Sequence, residues 1–243
     1  MYPELILNSL SLPTYFLVNT LTAIITLFWL LKRTLFKKLS IKLSLEIYLI
    51  VSVAGFFGAR AFHAFYEQPF YYLNKPSEFF FFWQGGFVFY GGALLGFFAG
   101  WTYIQLKDKK NTLNFLDLFT PLAAFSYSLG RLGCFLAGCC YGKIDSIPWS
   151  IDGRHPTQIY SSAWEGLTLF ALIFFEKKLS TRPGVLFFLW ILLHSIGHLI
   201  VEQYRGDDRG FQYMISVSSW VSLGLILISI TFLIKTQTNN PRS

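Results

Sequence analysis

Two stretches of this chain combine residue types that do chemistry. In HSIGHLIVEQYR, spanning 194–205, His194, His198, Glu202 and Arg205 fall at i, i+4, i+8 and i+11. On a helix those positions cover an arc of about 80°, so two imidazoles, a carboxylate and a guanidinium are expected to share one face. An imidazole with a carboxylate one turn away is the arrangement of an oriented general base. In YSLGRLGCFLAGCCYG, spanning 127–142, Arg131 stands among glycines and three thiols, Cys134, Cys139 and Cys140. A guanidinium surrounded by small residues suits a two-pronged grip on a phosphate. The histidine spacing also suits a metal ion. No second acidic or thiol ligand follows it at motif spacing, so neither a metal nor another cofactor is expected. The thiols have three open readings: small packing residues, a disulfide, or a thiol relay.

Other polar residues interrupt apolar stretches. Arg60, His63 and Glu67 share a helical face, Tyr90 lies inside GGFVFYGG, and RHPTQIY carries His155 and Gln158. A charge inside a segment of hydrocarbon length is costly, and it marks either a functional site or a structural ion pair.

The elements that must position these groups follow from composition. Of the 243 residues, 53% are hydrophobic and 14% charged, with 27 Phe, 13 Tyr and 7 Trp. That profile lies outside the soluble range and fits a polytopic membrane protein. Apolar stretches of about 20 residues, enough to cross about 30 Å of hydrocarbon, lie near 12–31, 44–66, 85–105, 114–136, 158–175, 185–204 and 212–234. They predict an all-α fold, with about seven transmembrane helices in a single integral membrane domain over 1–243. MYPELILNSL lacks a basic n-region and an A-x-A site, so the first span is expected to be retained as a membrane helix. All three cysteines fall in one motif, which excludes a disulfide framework for the chain.

Thirteen of the twenty Lys and Arg residues fall in one set of connecting segments and five in the other, with Arg60 and Arg131 inside spans. The positive-inside rule then puts the N-terminus outside and the C-terminus in the cytoplasm. The net charge of +7 is read as topology signals lying against anionic headgroups, with no nucleic-acid partner. On that topology Arg60, Tyr90, Arg131, RHPTQIY and the 194–205 stripe share the outer half of the bilayer. Unrelated ion pairs have no reason to share a depth.

Over nearly its full length the chain resembles the prolipoprotein diacylglyceryl transferases of the bacterial inner membrane. The resemblance runs through GAR in the second span, GGFVFYGG, the Asp117, Pro121 and Leu122 pattern, GRLGCFLAGCCYG, RHPTQIY with Glu165 and Gly166, and HLIVEQYR. It implies transfer of the diacylglyceryl group of phosphatidylglycerol to the lipobox cysteine thiol of a prolipoprotein signal peptide. A thioether forms and glycerol phosphate leaves, at a multi-pass active site facing the outer leaflet. The implied partners are phosphatidylglycerol, the lipobox signal peptide and membrane lipid.

The motifs also depart from the family pattern. YGG replaces HGG, so Tyr90 stands where histidine is usual. GCFLAGC replaces GNFINGE, so Cys134, Ala137 and Cys139 take the places of two asparagines and a glutamate. His194 and His198 stand where a tyrosine and an arginine are usual. Arg60, Arg131, Gly133, Gly138, Gly142, His155, Pro156, Gln158, Glu165, Glu202 and Arg205 are retained, and Tyr15 matches a family tyrosine.

The expected roles are as follows. Arg131 holds the phosphate with Arg60 or Arg205 as helper, His198 with Glu202 supplies the base, and Tyr90 hydrogen-bonds the headgroup. Tyr15, Gly133, Gly138, His155, Gln158, Glu165, His194, Cys134 and Cys139 contact substrate. Two competing classes are a relative with an altered acceptor or a lipid-binding role without this chemistry, and a small transporter. The transporter is disfavoured because no repeated half is evident.

Overall fold

The computed structural model describes residues 3–7, 10–179, 182–207 and 212–238. Arg209 and Arg242, counted above among the loop cations, lie outside them. Among the described residues, seven α-helices of 18 to 26 residues occupy the predicted spans. They are α1 (Thr14–Lys37), α2 (Ile41–Phe62), α4 (Phe89–Asp108), α5 (Thr112–Ala137), α6 (Thr157–Leu179), α7 (Val185–Glu202) and α8 (Val217–Thr238). A six-residue α3 (Pro69–Asn74) lies between α2 and α4. Four segments are long and apolar enough to cross a membrane by length and composition: Thr14–Lys37, Ile41–Glu67, Val185–Glu202 and Val217–Thr238. The described residues also include two small antiparallel hairpins, β1 (Glu4–Leu7) with β2 (Leu10–Pro13) and β3 (Gln212–Tyr213) with β4 (Ile215–Ser216), and short 3-10 turns at Pro76–Phe80, Phe82–Gln84 and Lys109–Asn111.

Some boundaries differ from the sequence expectation for local reasons. The third span begins at Phe89 rather than 85, because Gly85 and Gly86 take φ of +81° and +77°, which no right-handed helix uses. The last begins at Val217, after the second hairpin. The chain divides into two units, one of 1–33 and 116–243 and the other of 34–115.

In the unit of 34–115, α2 packs on α4 through glycines. A Cβ on Gly58 would lie 2.5 Å from the Gly91 carbonyl oxygen, and one on Gly92 would lie 2.8 Å from that of Gly55. The GG of GGFVFYGG and the glycines of α2 are therefore a backbone-to-backbone contact of the small-residue kind. Arg60, 1% exposed, closes the same unit. Its guanidinium donates to the carbonyls of Phe79, Phe81, Glu78, Gly85 and Gly86, and it lies over the rings of Tyr72 and Phe87. All five N–H groups are thus directed at the loop of 78–86. One π-turn, His63–Glu67, continues α2 and lets His63 Nδ1 meet Glu67 at 2.8 Å.

In the other unit, charges set helix positions. Arg33, counted above as a loop cation, is buried and grips Glu176 of α6 with two nitrogens at 2.9 and 2.7 Å, while its Nε donates to the Leu118 carbonyl. Asp117 of α5 accepts from the Gly184 and Phe187 amides at 2.7 and 2.9 Å. A buried carboxylate thereby satisfies two orphan N–H groups at the start of α7 and opposes that helix's positive end. Trp164 of α6 packs against Gly197 of α7 and donates to the Leu193 carbonyl at 2.9 Å. Ala124, Leu172 and Leu186 form the buried apolar centre.

Glycine-to-alanine changes give opposite signs at two helical positions. Alanine favours a helix by about 1 kcal/mol over glycine, and at Gly224, where a Cβ meets nothing within 4 Å, Gly224→Ala should hold or raise the thermal midpoint in detergent. At Gly58 the added carbon meets backbone, and overpacking of this kind costs about 1–3 kcal/mol. Gly58→Ala should lower the midpoint, and equal midpoints for the two variants would contradict the α2–α4 contact.

Candidate active site

The end of α5 determines where the reactive groups lie. After Ala137 the chain reverses through Gly138 at φ +76°. The Gly138 amide donates to the Phe135 carbonyl at 3.2 Å, and the Cys139 amide to that of Cys134 at 3.1 Å. This is a glycine-terminated Schellman cap, which folds the residues after the helix back onto its last turn. Cys140, at φ +61°, is a non-glycine residue in the left-handed region, a conformation held only where surroundings impose it.

Those surroundings are the other two motifs. Gln158 Nε2 donates to the Cys139 carbonyl at 2.7 Å, and Thr157 Oγ1 to that of Cys140 at 2.8 Å. Both donors are 2% exposed and sit in the first turn of α6. The Gly142 amide donates to the His155 carbonyl, that of Lys143 to Tyr204, and that of Gly206 to Tyr141. A Cβ on Gly142 would lie 2.4 Å from the His155 oxygen, so only glycine fits there. GRLGCFLAGCCYG, RHPTQ and EQYR, far apart in sequence, are thus stitched into one backbone assembly. His155 belongs to its frame: its Nε2 meets Asp145 at 3.0 Å and its Nδ1 meets the Tyr160 hydroxyl at 3.2 Å.

Arg131 lies six residues before the end of α5 and is 9% exposed. Its Nη2 donates to the Tyr127 hydroxyl at 2.7 Å, and its guanidinium carbon sits 4.8 Å from the centre of the same ring. Among the described residues no carboxylate lies within ion-pair distance of it. Arg33 has Glu176, and Arg205 has Asp207 at 2.8 and 2.5 Å. A buried cation without a carboxylate partner is costly, and a phosphate placed beside it is stabilised in proportion.

Behind Tyr127 stands an imidazole and carboxylate pair that sequence spacing did not reveal. The His194 and Tyr127 rings stand at 87° with centroids 4.6 Å apart, and His194 Nδ1 meets Glu165 Oε2 at 3.0 Å. The other oxygen of Glu165 accepts from the Trp190 indole. With Nδ1–H given to the carboxylate, Nε2 of His194 becomes the basic nitrogen. The sequence placed Glu165 and His194 separately among substrate contacts, because 29 residues separate them.

The expected pair is looser. His198 Nε2 lies 3.9 Å from Glu202, while its Nδ1 meets the Ser222 hydroxyl at 3.2 Å and Glu202 accepts from Ser218 at 3.0 Å. Ser218 and Ser222 belong to α8, so this pair is knitted to a neighbouring helix. Arg205 does not continue the helical stripe. α7 stops at Glu202, and Arg205 instead forms an isolated bridge with Gly142. Tyr15 of α1 packs near Gly133, where an added Cβ would stand 3.6 Å from its ring. Arg60 and Tyr90 belong to the unit of 34–115. The first is engaged as described, and Tyr90 lies in the opening turn of α4 with its ring edge-on to Phe89 at 5.5 Å.

The sulfurs of Cys134, Cys139 and Cys140 all lie within 4.8 Å of one another, and none is oxidised. The Cys140 thiol is held well below the ordinary thiol range, first by the hydrogen bond from Cys134, then by that from Cys139, with Arg205 and Arg131 acting in the same sense against burial. Hydrogen bonds to Cys134 and Cys140 push Cys139 upward. The cluster therefore favours a thiolate on Cys140.

The family model for prolipoprotein diacylglyceryl transferases matches residues 5–235. Relatives named phosphatidylglycerol–prolipoprotein diacylglyceryl transferase align as well. The Clostridium tetani protein is 38% identical over 60% of this chain and 62% of its own length. The Nitrosospira multiformis protein is 32% identical over 73% of this chain and 65% of its own, and that of Geobacter sulfurreducens 28% over 76% and 75%. The chain thus spans a little under two thirds of the first two.

Alkylation separates charge from exposure in the thiol cluster. Cys139 is the exposed sulfur and Cys140 the half-buried one, so exposure alone favours Cys139. The thiolate is the nucleophile, and a depressed acid stays ionised as pH falls. In chelator-washed protein, iodoacetamide at pH 7 should label Cys140 ahead of Cys139 by peptide mapping. The lead should narrow only as pH rises past the ordinary thiol value of about 8.5. Preference for Cys139 at pH 7 would contradict the assignment.

Proposed function

The chain belongs to the prolipoprotein diacylglyceryl transferase family, and on that premise we propose that it transfers the diacylglyceryl group of phosphatidylglycerol to the lipobox cysteine of a prolipoprotein signal peptide. The acceptor sulfur, as thiolate, attacks the glycerol carbon that carries the phosphate. The S–C bond forms as the C–O bond breaks, and glycerol phosphate leaves with the electron pair. The thiol proton goes to a base.

The observation that carries this reading is Arg131. It is buried, presented among glycines, fixed by Tyr127, and without a carboxylate partner among the described residues. Such a guanidinium stabilises the charge gathering on a departing phosphate. Arg205, held by Asp207 and tied through its backbone to Gly142, is its helper. The frame of His155, Gln158, Gly138 and Gly142 positions the turn that carries Cys134 and Cys139 beside it, with Tyr15 and Gly133 on the α1 side. The base is His194, oriented by Glu165 one ring away from Arg131. His198 with Glu202 is the second reading, favoured by its place one helical turn further on. Tyr90, in the unit of 34–115 and where the family pattern has histidine, keeps a hydrogen-bonding role.

The setting is a bacterial inner membrane, with the chain as one integral membrane domain of seven spans. Its N-terminus lies outside, its C-terminus in the cytoplasm, and its site toward the outer leaflet. The split of basic residues supports that orientation. A reporter fused after Ser243 should behave as cytoplasmic, and periplasmic behaviour would overturn it.

Glycerol phosphate release from phosphatidylglycerol in the presence of a lipobox peptide tests the chemistry. Arg131→Lys keeps the charge but not the two-pronged geometry and should lose roughly 100-fold in turnover. Wild-type rates would make Arg131 a structural residue. His194→Gln should lose roughly 100-fold or more while keeping lipid binding, with Tyr90→Phe and His198→Gln losing less. The reverse order for the two histidines moves the base to His198.

A further inference from the structure

The three thiols gather at one point because the cap of α5 makes them. Cys139 is brought back over Cys134 by the hydrogen bond between their backbones, and Cys140, at positive φ, keeps its sulfur within 4.8 Å of the other two. Gln158 and Thr157 fix both carbonyls of the pair from α6. A tetrahedral zinc ion with Zn–S of about 2.3 Å needs its sulfurs about 3.8 Å apart. The three here are all within 4.8 Å, so closing on an ion takes only side-chain rotation. A disulfide fits less well. Adjacent residues sit about 3.8 Å apart between Cα atoms, short of the minimum of about 4.4 Å for an ordinary bridge. Cys139 and Cys140 could therefore pair with each other only through a strained vicinal bridge, and any bridge to Cys134 strands the third thiol.

We propose that Cys134, Cys139 and Cys140 bind a zinc ion through three thiolates and leave its fourth position to the acceptor cysteine. Three protein ligands with one open position is the arrangement of a catalytic rather than a structural zinc, and the exposed side of Cys139 leaves that position reachable. The inference rests on the transferase reading for the identity of the fourth ligand. An incoming thiol loses its proton on coordination, and that proton goes to the base assigned above, His194. The zinc-bound sulfur then forms its bond to the glycerol carbon while the carbon–oxygen bond breaks and glycerol phosphate departs. The neutral thioether is a poor ligand and leaves, returning the ion to three thiolates. With four thiolates the centre carries a charge of −2, and Arg131, on α5 one turn before Cys134, and Arg205, bridged to Gly142, are cations of the same assembly. This supplies an acceptor activation that does not depend on an imidazole where Tyr90 stands.

Cobalt(II) is the probe. Purified, reduced, chelator-washed protein in detergent should take up one cobalt per chain. It should show thiolate-to-cobalt charge-transfer bands and the visible bands of a tetrahedral ion. A lipobox peptide with cysteine should shift those bands, and the same peptide with serine should not. Cys134→Ala should abolish them. Should that variant fold poorly, the wild type still decides, because zinc should shield all three thiols from alkylation together. Absence of thiolate bands, bands indifferent to the cysteine peptide, or a disulfide from Cys134 in chelator-free protein each overturns the proposal. Full turnover in zinc-free protein overturns it while leaving the transferase reading intact. Peptide-responsive cobalt bands in protein that releases no glycerol phosphate support the site and count against that reading.

Discussion

The hydrogen bond from Gln158 to the Cys139 carbonyl, with its neighbour from Thr157 to Cys140, is the constraint on which the site depends. A helix ending in glycine reverses the chain, but nothing in the cap itself decides where the next residues go. Two buried side chains at the start of α6 decide it. Once 139 and 140 are held, Gly142 is pressed against His155, and the segment of 204–206 is drawn alongside 141–143. Arg205 then lands beside the cysteines rather than on the face of α7. Donors buried at 2% exposure cannot exchange their partner for water, so the link is not a surface convenience.

The same unit separates charges that hold the fold from charges that can act. Arg33 with Glu176, and Asp117 with the first amides of α7, have satisfied partners in buried surroundings. Removing one member of such a pair leaves an uncompensated charge. In the unit of 34–115, Arg60 is likewise given over to carbonyls. Arg131 differs in having the Tyr127 hydroxyl and ring as its hydrogen-bond and stacking partners, which orient a guanidinium without the carboxylate that engages Arg33 and Arg205.

Much of the helical pattern was legible in the sequence because apolar runs of about 20 residues coincide with its long helices, and four described segments are long and apolar enough to cross a membrane. Boundaries failed where backbone rather than composition decides, as at Gly85 and Gly86. The site was legible in part. Arg131 could be singled out because a lone arginine among glycines is conspicuous, and RHPTQ because its polar residues open a span. The pairing of Glu165 with His194 was not legible, since it joins two helices 29 residues apart. The spacing of His198 and Glu202 suggested a partnership that α8 largely takes over through Ser218 and Ser222. The role of Arg60 was hidden because its partners are carbonyls, which every residue carries. The thiols looked unremarkable as a metal site because Cys134 and Cys139 are brought together by a reversal that spacing alone does not announce.

The most direct measurement is the mass of a lipobox peptide after incubation with the purified full chain and phosphatidylglycerol of defined acyl chains. The expected product carries one diacylglyceryl group on its cysteine, with a mass that follows the acyl chains supplied, and the serine version of the peptide stays unmodified. A cysteine peptide recovered unchanged from folded, lipid-binding protein would contradict the assignment of Arg131 and its neighbours to diacylglyceryl transfer.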